Sequence, residues 1–274
     1  EWRLRAPAKD LAKGARVEFF DCCSGRGKPV WIVLAGDSNM RNLLAWLTSK
    51  LGVSTGKYQQ LQFPARKWGP QWGDEDIIFL PREPNLFPIR LSLRFAGFRV
   101  DYRPDKPGKG PVSNGTVMDW RPMHNGDGQL NSYEWFDSEG RDALWGSQPS
   151  ALLFSLGLWE TPAAERRDCK NAFVAAESLS RRHGVGEKIY WVTVGTRSGT
   201  SKPPSVQQSR WGAECELEAA AAHDIPVLDM FSMSAAALDA GGPGKGLALQ
   251  SDGYHWNELL FNEVVSHWLD NWCI

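Results

Sequence analysis

Cysteine is sparse, with five in 274 residues, and no two form a Cys-x-x-Cys pair. That spacing excludes the common structural zinc sites, and no metal is expected. No apolar run approaches the roughly 20 residues of a membrane-spanning helix. The domain itself is therefore expected to make no membrane contact, although its start at Glu1 is compatible with a removed signal or anchor. Charge of either sign lacks an excess: 31 basic residues stand against 32 acidic ones, for a formal net charge of -1. The basic field that a nucleic-acid partner needs is missing. Gly246 stands where a phosphate-binding loop needs Ser or Thr after Lys245, which excludes a nucleotide site there. No internal repeat or linker divides the chain.

What remains is a globular composition, 42% hydrophobic and 23% charged. A length of 274 residues suits one α/β domain, 1–274, with residues 1–28 as an arm packed on it. Tryptophan is abundant, at 14 residues. Many must be core, and some are candidates to stack on sugar rings.

Val30 to Leu34 is a short, β-branched apolar run, and it reads as a buried strand. From Met40 the apolar residues Leu43, Leu44, Leu47 and Leu51 recur at helical spacing. Between them lies only Gly36-Asp37-Ser38. A turn from strand to helix at the carboxyl end of a parallel strand is where α/β sites form. It would expose the Ser38 hydroxyl beside the N–H groups of a helix N-terminus, which favour negative charge. The plainer alternative is that Asp37 or Ser38 only caps the helix.

At the other end of the chain, Gln250 to Asn257 reads QSDGYHWN, and Leu259, Leu260, Val264, Val265, Trp268 and Leu269 continue as a helix. Asp252 and His255 can supply orienter and base from one short turn. Here the alternative is a capping Asp beside a surface His.

Gly36-Asp37-Ser38 together with Asp252-x-x-His255 resembles the SGNH (GDSL-like) hydrolase superfamily. The finer likeness is to its PC-esterase branch, which includes the trichome-birefringence-like plant proteins. That branch continues the first motif as GDS-x-x-R-N, as in Gly36 to Asn42, and has a Gly-His-Trp block. Gly157 and Trp159 match that block, whereas Leu158 departs from it. The resemblance implies a three-layer α/β/α, flavodoxin-like fold and a Ser38–His255–Asp252 triad working through an acyl-enzyme. It implies acyl-ester chemistry on a glycan, with polysaccharide or oligosaccharide O-acetyltransfer as the first reading. Carbohydrate O-acetyl esterase is the alternative, and a non-catalytic carbohydrate-binding module is a third. No cofactor is expected to be bound; a transferase would use an acetyl donor as co-substrate. The Ser38 N–H is the first candidate for the oxyanion. Arg41, Gly157 and Trp159 are candidate supports, with Trp159 where the superfamily commonly has Asn. Trp68, Trp72 and Trp256 are candidate sugar platforms.

Strands are also expected at Ile89–Tyr102, Ala151–Leu156, Lys188–Val194 and Pro226–Met230. With the first, they make a mainly parallel five-stranded sheet with helices on both faces. Helices are expected at Ala163–Arg182, with Phe173, Val174 and Leu179 inward, and at Val206–His223. Residues 52–88 read as a Gly/Pro/Trp-rich loop wall holding a short strand at Asp76–Leu80. Residues 103–128 are a polar insert carrying His124, read as a surface residue, and a glycosylation acceptor at Asn114. The sparse cysteines suit a few long-range disulfides in a secreted or Golgi-luminal domain. Cys169 with Cys215, and Cys273 with Cys22 or Cys23, are the expected pairs, and the odd number leaves one cysteine over.

Overall fold

The computed structural model describes Phe19, Cys22–Cys23 and residues 25–52, 58–69, 72–95, 149–156, 169–182, 188–196, 206–241 and 255–272. Asn114, His124, Gly157, Trp159, Asp252 and Cys273 lie outside them.

The strands are β1 (Val30–Gly36), β2 (Tyr58–Gly69), β3 (Trp72–Pro81), β4 (Ile89–Phe95), β5 (Ala151–Phe154), β6 (Lys188–Val192) and β7 (Val227–Leu228). The helices are α1 (Ser38–Gly52), α2 (Lys170–Arg182), α3 (Val206–Ala222), α4 (Met230–Gly241) and α5 (Glu258–Trp272). All seven strands form one sheet in the order β2-β3-β4-β1-β5-β6-β7. The five strands expected from sequence are its parallel part, β4-β1-β5-β6-β7. The expected sheet was too small. Two antiparallel strands, β3 on β4 and β2 on β3, extend it into a mixed seven-stranded sheet.

The correction falls on the segment read as a loop wall, most of which is a β-hairpin. Gln59, Gln60, Gln62, Arg66 and Lys67 give β2 no apolar alternation for a sequence reading to find. Its order comes from pairing with β3, and Pro64 is tolerable because β2 is an edge strand.

Alternation along β1 divides the core. Val30, Ile32 and Leu34 face one layer with Met40, Leu43, Leu44 and Leu47 of α1 and Leu260, Val264, Trp268 and Trp272 of α5. Trp31, Val33 and Ala35 face the other, with Ala172, Ala175, Ala176 and Leu179 of α2 and Cys215, Ala219 and Ala220 of α3. Helices therefore cover both faces. The buried face of α2 is mostly alanine. Phe173, expected inward, is instead 39% exposed. A disulfide between Cys169 and Cys215 joins the start of α2 to α3. Cys22 is disulfide-bonded as well, and Cys23 is a buried free thiol. Such bonds form and persist in oxidising compartments. Near the N-terminus, Phe19 packs on Trp268, and the Arg26 guanidinium donates to the Trp272 carbonyl at 2.6 Å while lying over its ring. No helix among the described residues is long and apolar enough to cross a membrane.

Candidate active site

The site begins with a steric requirement at Gly36. A Cβ there would stand 2.5 Å from the Met40 Cγ and 3.0 Å from the Ser155 carbonyl oxygen. Only glycine lets β1 turn so tightly into α1 beside the end of β5. Asp37 follows and is the N-cap. Its carbonyl accepts the Arg41 N–H at 3.1 Å, and its Oδ1 accepts the Asn39 N–H at 2.9 Å. The capping alternative thus holds for Asp37. Because Asp37 caps the helix, the Ser38 hydroxyl is available for another partner.

That partner is His255. Its Nε2 lies 2.8 Å from Ser38 Oγ, across 217 positions of sequence. His255 stands just before α5. Asn257 caps that helix, its carbonyl accepting the Phe261 N–H at 3.1 Å. Both side chains are half-buried. The pair sits at the carboxyl end of the parallel strands, where α1 starts. A hydroxyl at hydrogen-bond distance from an imidazole can be deprotonated as it attacks an electrophile. The Ser38 main-chain N–H, in the first turn of α1, has no hydrogen-bond partner among the described residues. It is free to face developing negative charge.

A second, buried join lies beside the first. Asn39 Oδ1 accepts the Trp256 main-chain N–H at 3.0 Å. Sequence reasoning missed Asn39, because nothing in its neighbourhood marks a partner 217 residues away. Trp256, expected as a sugar platform, is 1% exposed. Its ring packs on Phe261, and its Nε1 edge comes so near the backbone that a Cβ on Gly195 would lie 2.6 Å from it. The ring is core and presents no face for a sugar.

Arg41 is half-buried one turn into α1. Trp68 and Trp72 lie at the turn of the β2–β3 hairpin, where Gly69 pairs with Trp72. Register places that turn at the same end of the sheet as Ser38. Glu75 pairs with Leu93, Leu93 with Leu34, and Trp72 and Ser38 lie beyond that level. With strands about 4.8 Å apart, β3 is roughly 10 Å and β2 roughly 14 Å from β1. Among the described residues no cluster of His, Cys, Asp or Glu is arranged to hold a metal ion.

Beneath the carboxyl end of β6, Glu216 of α3 is 3% exposed, and its Oε2 accepts the Val194 N–H at 2.7 Å. Burial pushes its carboxyl up to about 8. The charges of Asp37 and Asp229 add to the rise, and the Val194 hydrogen bond opposes it.

One solved structure similar to this chain is the crystal structure of the lipase/acylhydrolase from Enterococcus faecalis, at 16% sequence identity. The similarity covers 88% of this chain and 96% of that one, with a TM-score of 0.48. No protein-family model and no curated protein matches the chain.

Proposed function

We propose that this protein is a serine esterase that removes acyl groups, acetyl first among them, from O-acylated carbohydrates. The observation that carries the chemistry is the 2.8 Å approach of His255 Nε2 to Ser38 Oγ at the carboxyl end of the sheet. In this reading the Ser38 hydroxyl donates to Nε2, then attacks the ester carbonyl carbon while the proton passes to His255. The Ser38 N–H and the start of α1 stabilise the oxyanion. His255 returns the proton to the departing sugar oxygen, leaving an acyl-enzyme that water resolves. Asp252, three residues before His255, is the proposed orienter of the ring. It would hold the tautomer that leaves Nε2 free to accept.

The carbohydrate part of the reading is supported by the position of the β2–β3 turn. The backbone of Trp68 and Trp72 lies at the Ser38 end of the sheet, towards which an extended substrate would run. The motif run Gly36 to Asn42, similar to the transferase-containing PC-esterase branch, favours a second reading in which a sugar hydroxyl replaces water. Transfer requires that acceptor to be held in near-attack geometry, where effective molarities reach about 10⁵ M and outcompete the solvent. The disulfides support a secretory-pathway or extracellular location for either reaction.

The test supplies O-acetylated oligosaccharides and, separately, an activated acetyl ester with unmodified oligosaccharides. Catalytic release of acetate from the first, lost in Ser38→Ala, supports the esterase. Acetylation of the second faster than loss of donor to water makes the protein a transferase. Glycan binding with neither reaction leaves a carbohydrate-binding module and sinks both enzyme readings.

A further inference from the structure

Two hydrogen bonds seen among the described residues join the turns that carry Ser38 and His255, and they differ in kind. Ser38 Oγ to His255 Nε2 is the reactive one. One residue further in each turn, Asn39 Oδ1 to the Trp256 N–H is a neutral amide–amide bond. It is shut from solvent, with Asn39 3% and Trp256 1% exposed. Each end is anchored in its own element. The Asn39 N–H donates to Asp37 Oδ1 in the cap of α1, and the Trp256 ring is wedged between Phe261 and Gly195.

Only one of these joins survives acylation. Before reaction the Ser38 hydroxyl donates to Nε2 and helps to hold the ring. Once Oγ has bonded to the acyl carbon it is an ester oxygen with no hydrogen to donate. His255 therefore loses its direct tether to Ser38 just when it must act again. The incoming hydroxyl gives its proton to Nε2 as its oxygen bonds to the acyl carbon. The C–Oγ bond then breaks, Oγ takes the proton back from Nε2, and the acyl group leaves as carboxylic acid, or as ester if the hydroxyl was a sugar's. Throughout this half, the Asn39–Trp256 bond is chemically unchanged and adjacent to the base.

We propose that Asn39 is a positioning residue for deacylation: through the Trp256 N–H it holds His255 over the acyl-enzyme after the Ser38–His255 hydrogen bond is gone. The inference rests on the reading of Ser38 as an acylated nucleophile. It requires an asymmetry that a merely structural role would not produce. Asp252, the proposed orienter, is available to the ring in both halves, whereas the Ser38 hydrogen bond serves acylation alone, so losing Asn39 should slow the second step more than the first.

The experiment uses the whole chain and p-nitrophenyl acetate. The kcat/KM for p-nitrophenol release reports acylation, and decay of the Ser38 acetyl adduct, followed by intact mass after quenching, reports deacylation. In Asn39→Ala, deacylation is expected to fall at least tenfold and acylation less than threefold, so the adduct accumulates. Asn39→Asp keeps an oxygen at the accepting position and should restore the ratio of the two rates towards that of the wild type. Should the Ala variant fail to fold by circular dichroism, Asn39→Ser, too short to reach Trp256, takes its place with the same expectation. Equal losses in both steps, or an Asp variant no better than the truncation, overturn the proposal while leaving the esterase standing. A wild-type rate that Ser38→Ala does not lower overturns the esterase reading and this inference with it.

Discussion

Glu216 on α3 accepts a hydrogen bond from the main-chain N–H of Val194, just past the end of β6, with its carboxyl sealed from water. Burial, with Asp37 and Asp229 nearby, pushes it up to about 8 from an ordinary 4.5. Between those values the native chain holds a proton that the unfolded chain has released. Stability from this group is therefore complete below about 4.5, falls as pH rises, and is lost above about 8. Glu216→Gln keeps an acceptor for Val194 without the charge. It should flatten the decline of Tm over this window and raise Tm at pH 8.5 by roughly 5 °C. Parallel Tm curves for the two proteins would show that Glu216 is not the cause.

Ser38 and His255 should separate activity from stability. Ser38→Ala removes a half-buried hydroxyl and is expected to abolish ester turnover, with a stability change within about 0.5 kcal/mol. His255→Ala should lower turnover at least ~10²-fold through loss of the general base. Denaturant midpoints measured beside the rates check both. Retained turnover in Ser38→Ala rules out the assigned nucleophile.

Gly195 is expected to tolerate no side chain. Its Cβ would enter the space of the Trp256 indole nitrogen, and the main chain of Trp256 follows His255 directly. Gly195→Ala should cost about 1–3 kcal/mol of stability by overpacking. It should also reduce turnover in the fraction that remains folded. Thermal melts read the first effect and rates at low temperature the second. An unchanged rate would mean that the indole yields without moving the base.

The disulfides make a counting prediction. Cys169 and Cys215 close a loop of sequence separation 46. On the chain-entropy model, losing that bond costs about 4 kcal/mol. Burial pushes the Cys23 thiol far up, so it should not react in the native state. We expect no reactive thiol in the folded chain and one after denaturation without reductant. Peptide mapping should pair Cys22 with Cys273. Three thiols on denaturation would show that pair to be absent.

The parallel half of the sheet was legible in the sequence because it is buried on both faces. Val30 to Leu34, Ala151 to Phe154 and Ile189 to Val192 must be short apolar runs for that reason, and they stand out. The Gly36-Asp37-Ser38 turn was equally plain, since a strand, a glycine and a helix pattern meet there within a few residues. Cys169 with Cys215 was named as a pair that would join two expected helices, and the two are bonded. By contrast, β2 carries glutamines, lysine, arginine and proline, and only its pairing to β3 makes it a strand. Its polar edge position left no pattern to read. Phe173 was expected inward with Val174 and Leu179. The helix instead turns Ala172, Ala175, Ala176 and Leu179 to the sheet and leaves Phe173 39% exposed.

The sequence by itself determined which residue types could do chemistry: a serine after a strand, and a histidine before the last helix. Only the tertiary structure decided that they meet, that Asp37 rather than Ser38 caps α1, and that Trp256 belongs to the core. The Asn39–Trp256 join beside them was likewise decided there. The physical reason is distance along the chain. Local pattern encodes helix, strand and cap through neighbours a few residues apart. A hydrogen bond spanning 217 positions exists only because β1 and α5 pack in one core and bring two short turns to the same end of the sheet.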